Sequence, residues 1–301
     1  MSSSSLISHL KLHFVVLIYG FTAILGKLIS ISAIDLVWYR MLIAAVSIYI
    51  YIRMRRISIR LPLREIIRIL IIGLLVAAHW ITFFGAIKLS NVSVTLGCLA
   101  SATLFTSILE PLFYRKRLNW IEVVIGLLII AGLYLIFQFE FHYWKGILTA
   151  IISAFLAGLF TVLNRKQVER QSAHIISFYE MIGGVLGITL FLLVRGEHTH
   201  IFQAIPYTDL IYLLLLGIVC TAFAFVVQVD VMRQLTAYVV ALTINLEPVY
   251  GIILAVIFFG DSELMSFGFY IGTVVILLSI IGYPLYTRRA KKMSRTARMI
   301  H

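Results

Sequence analysis

Long apolar stretches alternate with short polar connections along nearly the whole chain. A helix that crosses lipid needs about 20 mainly apolar residues, because it must satisfy its backbone hydrogen bonds internally. Ten stretches meet this requirement: 12–31, 35–52, 66–87, 92–113, 121–139, 146–163, 175–194, 210–231, 237–259 and 267–286. The connections leave no room for a soluble domain. The pattern therefore predicts an all-α integral membrane protein with ten transmembrane helices.

Composition supports the same fold class. Of the 301 residues, 61% are hydrophobic and 13% are charged, and the mean hydropathy is +1.03. Soluble domains are about half apolar and about a quarter charged, so this composition excludes a soluble enzyme, a nucleic-acid binder and a disordered protein. Cys98 and Cys220 lie inside apolar runs, which favours two small buried residues over a disulfide framework. The first apolar segment is expected to be retained, since no cleavage pattern accompanies it.

The basic residues orient the chain. With the N-terminus inside, twenty Lys and Arg residues lie on the cytoplasmic side, against three outside: Lys88, Lys145 and Arg195. Cytoplasmic loops of membrane proteins are rich in Lys and Arg, which also accounts for the net charge of +12 without invoking nucleic acid. The distribution predicts a multi-pass protein of the cell (inner) membrane with both termini cytoplasmic.

An internal repeat divides the chain near its midpoint. The segment VWYRMLIAAV at 37–46 resembles SFYEMIGGVL at 177–186, and farther on an offset of 146 residues aligns Leu118 with Leu264 and Gly126 with Gly272. We expect one repeat at 1–141 and a second at 142–301. Five spans per repeat is an odd number, so the second copy must enter the membrane from the opposite side. Inverted repeats of this kind are typical of secondary transporters.

These residues resemble the EamA type of the drug/metabolite transporter superfamily. The run LTAYVVALTINLEPVYGIILAVIFFGDSELMSFGFYIGTVVIL carries the resemblance in the second half, and YGFTAILGK, YRMLIAA and GAIKLSNVSVTL carry it in the first. Ala102 and Lys116 depart from the family, which often has proline in helix four and an acid before the Arg-Leu turn. The resemblance implies ten helices and proton-linked or passive export of metabolites.

Glu247 lies in the middle of the ninth predicted span and is followed by Pro248. Acidic residues at membrane depth are expensive and mark transport pathways by default. Glu247 is therefore the candidate for substrate binding and for proton or ion coupling. Pro248 removes a backbone donor and is expected to kink the helix, freeing a carbonyl for a ligand or water. The structural alternative is an ion pair of Glu247 with Arg40 or Lys27 that serves helix packing.

Arg40 and Lys27 flank the first predicted outer loop. Arg40 is a candidate for binding an anionic group of a substrate, as Lys27 is to a lesser degree. The alternative is that their long side chains extend to the outer headgroups, or that they neutralise Glu180 and Glu247. Glu180 occupies the repeat position equivalent to Arg40, which hints at complementary charges in the two copies.

His79, Trp80 and Phe83 lie together in the third span and are candidates for contacting substrate. Histidine can relay protons, and aromatic rings stack on flat or cationic ligands. The alternative for His79 is a packing histidine, hydrogen-bonded to a neighbouring helix.

One face of the ninth span combines Thr243, Glu247 and Tyr250 at helical spacing, which is consistent with a cavity lining. Asn245 is expected to point elsewhere, and Gln228 in the eighth span is expected near the inner interface. The alternative is that Thr and Asn hold membrane helices together.

These features predict a secondary transporter that exports a small metabolite, an amino acid or similar, by alternating access. The cavity is expected between helices one, three, four, six, eight and nine. We expect no enzyme activity and no cofactor or metal, because the sequence has no phosphate-binding loop, metal-ligand spacing or nucleophile elbow. The alternative is an integral-membrane enzyme acting on a lipid-linked substrate. The expected partners are a small-molecule substrate and the lipid bilayer, with no nucleic acid; a homodimer is left open.

Overall fold

The apolar stretches form helices in the computed structural model, which describes residues 3–115, 120–197, 205–279 and 282. Every regular element among these residues is helical. The thirteen α-helices are α1 Ser3–Leu28, α2 Ala33–Met54, α3 Leu63–Leu89, α4 Val92–Leu99, α5 Ala102–Tyr114, α6 Trp120–Phe139, α7 Trp144–Gln167, α8 Ala173–Arg195, α9 Tyr207–Gly217, α10 Ala224–Val231, α11 Ala237–Ile244, α12 Glu247–Phe259 and α13 Phe267–Ser279. A π-helical turn, Ile218–Phe223, joins α9 to α10, and 3₁₀ turns occupy Phe141–Tyr143 and Gly260–Glu263.

Eight stretches of the described chain are long and apolar enough to cross a membrane: Leu6–Leu28, Ala33–Met54, Leu63–Leu89, Val92–Tyr114, Phe141–Gln167, Ala173–Arg195, Tyr207–Val231 and Ala237–Glu263. Two further apolar helices, Val124–Phe139 and Phe267–Ser279, are shorter and coincide with the fifth and tenth predicted spans. The predicted end of the tenth span and the basic C-terminal tail lie outside the described residues. Large apolar side chains cover the outside of the bundle, as a lipid-facing surface requires. The prediction of an all-α integral membrane protein is confirmed.

Contacts between helix ends show that successive spans run in opposite directions. We call the side at which α1 begins the N-terminal face and the other side the opposite face. At the opposite face the ammonium group of Lys88, near the end of α3, donates to the carbonyl of Ile29 just after α1. At the N-terminal face Gln167, which ends α7, donates to the carboxylate of Glu65 near the start of α3 at 3.0 Å. α1 and α3 therefore run from the N-terminal face to the opposite face and α7 runs the other way, as alternating spans require.

The fourth and ninth spans are both interrupted, and in the same way. The fourth consists of α4, with eight residues, and α5, with thirteen; the ninth consists of α11 and α12, with the same two lengths. α4 starts at residue 92 and α11 at residue 237, 145 residues later. Matching breaks in corresponding spans fit the inverted two-repeat architecture.

Local chemistry explains both breaks. Pro248 has no N–H and cannot donate to the carbonyl four residues earlier, so the ninth span stops at Ile244 and restarts at Glu247. The first repeat has no proline at its break. There the hydroxyl of Ser101 donates to the Cys98 carbonyl at 2.8 Å, competing with the helical hydrogen bond that this carbonyl would accept.

The N-terminus of each interrupted span is capped by a carboxylate that belongs to the other repeat. Glu263, at the end of the ninth span, accepts hydrogen bonds from the backbone N–H groups of Val92 at 3.1 Å and Ser93 at 2.8 Å, in the first turn of α4. Glu110, at the end of the fourth span, accepts one from the N–H of Tyr238 in the first turn of α11 at 2.8 Å. We call these contacts the reciprocal caps. They satisfy N–H groups that have no partner within their own helix.

Candidate functional site

A cavity lies where the breaks in the fourth and ninth spans meet α1, α2, α3, α7 and α10. The empty space between its lining atoms is about 740 Å³, part of which is open to solvent. Apolar and aromatic side chains make up most of the lining, as in small-molecule sites generally. Its polar lining residues are Tyr19, Thr22, Arg40, His79, Thr106, Thr161, Gln228, Asn245 and Glu247. The cavity therefore combines an apolar wall with a few polar groups at membrane depth.

Arg40 contributes a positive charge whose hydrogen-bonding capacity is only partly used. Its side chain is 1% exposed, and the guanidinium group lies 3.8 Å from the ring centroid of Trp80. Nε donates to the hydroxyl of Thr221 at 2.5 Å, whereas Nη1 is buried without a hydrogen-bond partner among the described residues. Thr221 lies on the π-helical turn, which places its hydroxyl toward α2. Stacking on Trp80 fixes the guanidinium and stabilises its charge, and this burial rules out extension to the headgroups.

Glu247 contributes a negative charge to the same cavity. It is the first residue of α12 and is buried, and the positive end of the helix dipole favours a carboxylate at this position. Within the described part of the chain it forms no hydrogen bond, and no ion pair joins it to Arg40 or Lys27. Lys27 instead pairs with Glu263, with 2.7 Å between the ammonium nitrogen and the carboxylate. The structural ion pair that could have explained Glu247 is therefore not formed.

His79 both lines the cavity and holds α3 to α7. Its Nδ1 lies 3.0 Å from the carbonyl oxygen of Ser153 and 2.8 Å from the hydroxyl of the same residue, which in turn donates to the His79 carbonyl. Because a carbonyl oxygen only accepts, the hydrogen bond to it requires a proton on Nδ1. The ring also contacts Phe160 and Phe83, with centroids 5.3 and 6.2 Å away. His79 therefore has the expected packing role and is also part of the cavity wall.

Five of the seven predicted substrate-binding residues surround the cavity: Arg40, His79, Trp80, Phe83 and Glu247. Thr243 and Tyr250 are not among the lining residues.

Thr243 was expected to share one helix face with Glu247 and Tyr250, but it lies in α11 whereas the other two lie in α12. The break at Asn245 and Leu246 changes the register between α11 and α12. Tyr250 is 38% exposed on the outside of the bundle, and the hydroxyl of Thr243 donates to a carbonyl of its own helix. Asn245, expected to point elsewhere, lines the cavity and donates to the hydroxyl of Thr103.

Several lining residues were not anticipated. Gln228, expected near an interface, is buried in the cavity wall and accepts a hydrogen bond from the hydroxyl of Tyr19. Thr161 and Phe160 of α7 also line the cavity. A polar residue in the middle of an apolar span was the available indication for Tyr19 and Thr161. The aromatic residues carried no such indication, because these spans are rich in aromatic side chains throughout.

Comparison with known proteins places the chain among membrane transporters. The model of the EamA-like transporter family matches residues 7–138 and again residues 144–283. An uncharacterized transporter of Clostridium kluyveri is 25% identical over 153 residues, which cover 50% of this chain and 48% of that protein. The uncharacterized transporter YxxF of Bacillus subtilis is 23% identical over 203 residues, covering 65% and 63%. In these matches the chain spans about half to just under two thirds of its relatives' length.

A solved crystal structure shares the fold. It superposes with a TM-score of 0.69 at 17% sequence identity, covering 96% of this chain and 100% of that one. The likeness extends over both repeats, so the arrangement of helices described above is common to the two proteins.

Proposed function

Because the chain belongs to the EamA-like transporter family, we propose that it is a secondary transporter that exports a small zwitterionic metabolite, an amino acid or a similar compound. The observation that carries this proposal is the pair of opposite charges in the cavity, Arg40 and Glu247, which are both buried and not paired with each other. Unpaired charges at membrane depth are costly unless a partner arrives.

An amino acid offers a partner to each charge. Its carboxylate would accept a hydrogen bond from the unused Nη1 of Arg40, and its ammonium group would donate to Glu247. A neutral sugar would leave both charges unmatched, and a simple organic cation would leave Arg40 unmatched. The aromatic and aliphatic walls would then contact the side chain of the substrate. Burial of a zwitterion between the two charges compensates the cost of desolvating all four groups.

The interrupted spans provide a route to alternating access. Broken helices at the interface of inverted repeats border the binding site in many transporters, and one repeat rocks against the other around it. Here the breaks at Ser101 and Asn245 both lie at the cavity. We propose that Glu247 changes its protonation or its partner as substrate binds, and that this change accompanies the rocking motion. Cytoplasmic termini in a cell (inner) membrane, repeats divided at residues 141 and 142, and a homodimer stay predictions.

The test is thermal stability of the purified protein against a panel of amino acids, nucleobases, sugars and organic cations. A ligand that binds the folded state stabilises it by about 2.7 kcal/mol at a hundredfold excess over Kd. We expect an amino acid to raise the melting temperature of the wild type and of Tyr250→Phe, a lipid-facing control, but not of Glu247→Gln. Counterflow of the same amino acid in proteoliposomes should likewise be observed for the wild type and Tyr250→Phe but not for Glu247→Gln.

Two results would contradict the proposal. One is a Glu247→Gln protein that transports normally with unchanged pH dependence. The other is stabilisation by a sugar or a cation while every zwitterion on the panel has no effect. Chemical turnover of a lipid-linked substrate would favour the alternative of an integral-membrane enzyme.

A further inference from the structure

A second buried carboxylate lies outside the cavity, on α8. Glu180 is 0% exposed, and neither of its carboxylate oxygens has a hydrogen-bond partner in the part of the chain that the structure describes. The side-chain amide of Asn164 on α7 lies next to this carboxyl, but its own N and O atoms also lack partners of good geometry. The hydroxyl of Ser177, one turn before Glu180 on the same face of α8, is equally unsatisfied. Three buried polar side chains thus share one unsatisfied cluster.

Among the described residues no charged group compensates Glu180. α2, α3 and α10 pack against α8, and the buried titratable residues on these helices are Arg40 and His79, which belong to the cavity. The more exposed charged residues Glu65, Arg68, Arg165 and Asp230 form ion pairs toward the N-terminal face. Among the described residues none forms an ion pair with Glu180. The complementary partnership with Arg40 that the repeat suggested is therefore absent.

Close packing of α3 against α8 encloses the Glu180 cluster. A Cβ atom added to Gly73 of α3 would lie 2.2 Å from the carbonyl oxygen of Glu180, and one added to Gly183 would lie 2.4 Å from that of Leu70. The backbones of α3 and α8 are therefore in direct contact on both sides of this level. The carboxyl reaches water only when α3 and α8 separate, and because these helices belong to different repeats, the rocking of one repeat against the other would separate them.

Buried polar residues at three-residue spacing on α7 lie between this cluster and the two sides of the protein. Thr161 lines the cavity, Asn164 lies one turn farther toward the N-terminal face, and Gln167 lies one turn beyond it. Gln167 donates to Glu65, whose carboxylate also contacts Arg170 at the N-terminal face at 3.8 Å. Glu180 therefore lies beside the midpoint of a polar line from the cavity to the protein surface.

We propose that Glu180, together with Asn164 and Ser177, is a proton-binding site that exchanges protons between the cavity and the N-terminal face. The inference rests on the proposed transport function, for which it supplies the coupling ion. In each cycle an O–H bond forms between a proton from cavity water and a carboxylate oxygen. The neutral acid later returns that proton to water at the N-terminal face, and the carboxylate is restored.

The neighbouring side chains suit a proton better than a metal cation. An amide has both a donor and an acceptor, so Asn164 can accept from the protonated carboxyl and donate to the ionised one. The hydroxyl of Ser177 has the same ability. A sodium or other metal ion would require a shell of oxygen ligands, whereas the backbone carbonyls here are engaged within their helices. The three side chains alone offer four oxygen atoms.

The first experiment needs no substrate. Infrared difference spectra of the purified protein are recorded between acid and alkaline pH, and the carbonyl band of a protonated carboxyl is followed. We expect a band that titrates in the wild type and in Tyr250→Phe, is lost in Glu180→Gln, and is shifted in Asn164→Leu. Spectra of Glu247→Gln identify the contribution of the cavity carboxylate. If Glu180→Gln removes no titrating band, or sodium rather than pH alters the band, the proposal is wrong.

The second experiment tests coupling, with the amino acid that stabilises the wild type. Glu180→Gln proteoliposomes are expected to retain counterflow at equal pH and to lose both accumulation driven by a pH gradient and the accompanying proton flux. Retention of gradient-driven accumulation would overturn the coupling role. If no amino acid binds the wild type, the transport proposal fails instead, and the infrared result still decides whether Glu180 binds a proton.

Discussion

Glu263 is the most heavily bonded carboxylate at the opposite face, which makes its removal a sharp test of the reciprocal caps. It is 0% exposed and binds the ammonium group of Lys27 at 2.7 Å, the hydroxyl of Ser93 at 2.8 Å and the first two N–H groups of α4. These contacts join α1, α4 and the end of the ninth span. In Glu263→Gln the shape is kept, but the negative charge and one acceptor oxygen are lost.

The expected loss of stability follows from these contacts. Removing one partner of a buried ion pair costs about 3–5 kcal/mol. The Lys27 side chain is 27% exposed, so water compensates part of its charge, and we expect about 3 kcal/mol, the lower end of that range. At about 2–4 °C per kcal/mol, the melting temperature should fall by roughly 6–12 °C.

The assay is thermal unfolding of the purified protein in detergent, with Lys27→Met and the double variant completing a cycle. We expect a coupling energy of about 1–3 kcal/mol between Lys27 and Glu263, because the two groups are in direct contact. The control is Glu197→Gln, which breaks a 2.9 Å pair with Arg195 in which both side chains are exposed, at 39% and 56%. Exposed pairs contribute about 0–1 kcal/mol. If Glu263→Gln loses no more stability than Glu197→Gln, the cap does not hold the repeats together.

Two further predictions concern packing and the cavity. In thermal unfolding, Gly73→Ala should destabilise the protein by about 1–3 kcal/mol, because the added Cβ would meet the Glu180 carbonyl. The control is Gly85→Ala, in which the nearest neighbour of the added Cβ would lie 4.0 Å away. This variant should be neutral or more stable by up to about 1 kcal/mol. Trp80→Leu removes the ring that stacks on Arg40 and should weaken amino-acid binding by roughly tenfold, as measured by calorimetry, since a desolvated cation–π contact contributes about 1–2 kcal/mol.

The fold was largely predictable from the sequence, because lipid imposes two simple requirements. Spans must be apolar and long enough to satisfy their own backbone, and a repeat of five spans must be inverted. The breaks were harder to predict. Pro248 indicated one of them, but Ser101 has no comparable signature, since a serine more often stays within a membrane helix.

The charged residues of the site could be predicted from the sequence, but the residues whose position depends on helix register could not. Glu247 and Arg40 stood out because ionisable groups are rare at membrane depth. Thr243 was grouped with Glu247 because helical spacing was counted through a break. Gln228 was missed because its span is apolar on all sides, so no amphipathic pattern separates the face toward lipid from the face toward the cavity.

The contacts of Glu263 could not be predicted from the sequence, for a different reason. The backbone N–H of Ser93 in α4, which donates to it, lies 170 residues earlier in the chain, and no local sequence pattern connects the two. Lys27 was compared with Glu247 and Glu180 as partners because these are the acids in the middle of spans. Its actual partner lies in the 3₁₀ turn that ends the ninth span.

The positions of the reciprocal caps in the chain also determine the order in which these contacts can form as the protein is synthesised. The first turn of α4 obtains its carboxylate only when Glu263 has been made, 170 residues after Ser93. Until then its first N–H groups lack this acceptor. The first repeat therefore lacks one of its caps until the end of the ninth span has been synthesised, whereas the cap on α11 is available as soon as α11 is made, because Glu110 precedes it in the chain.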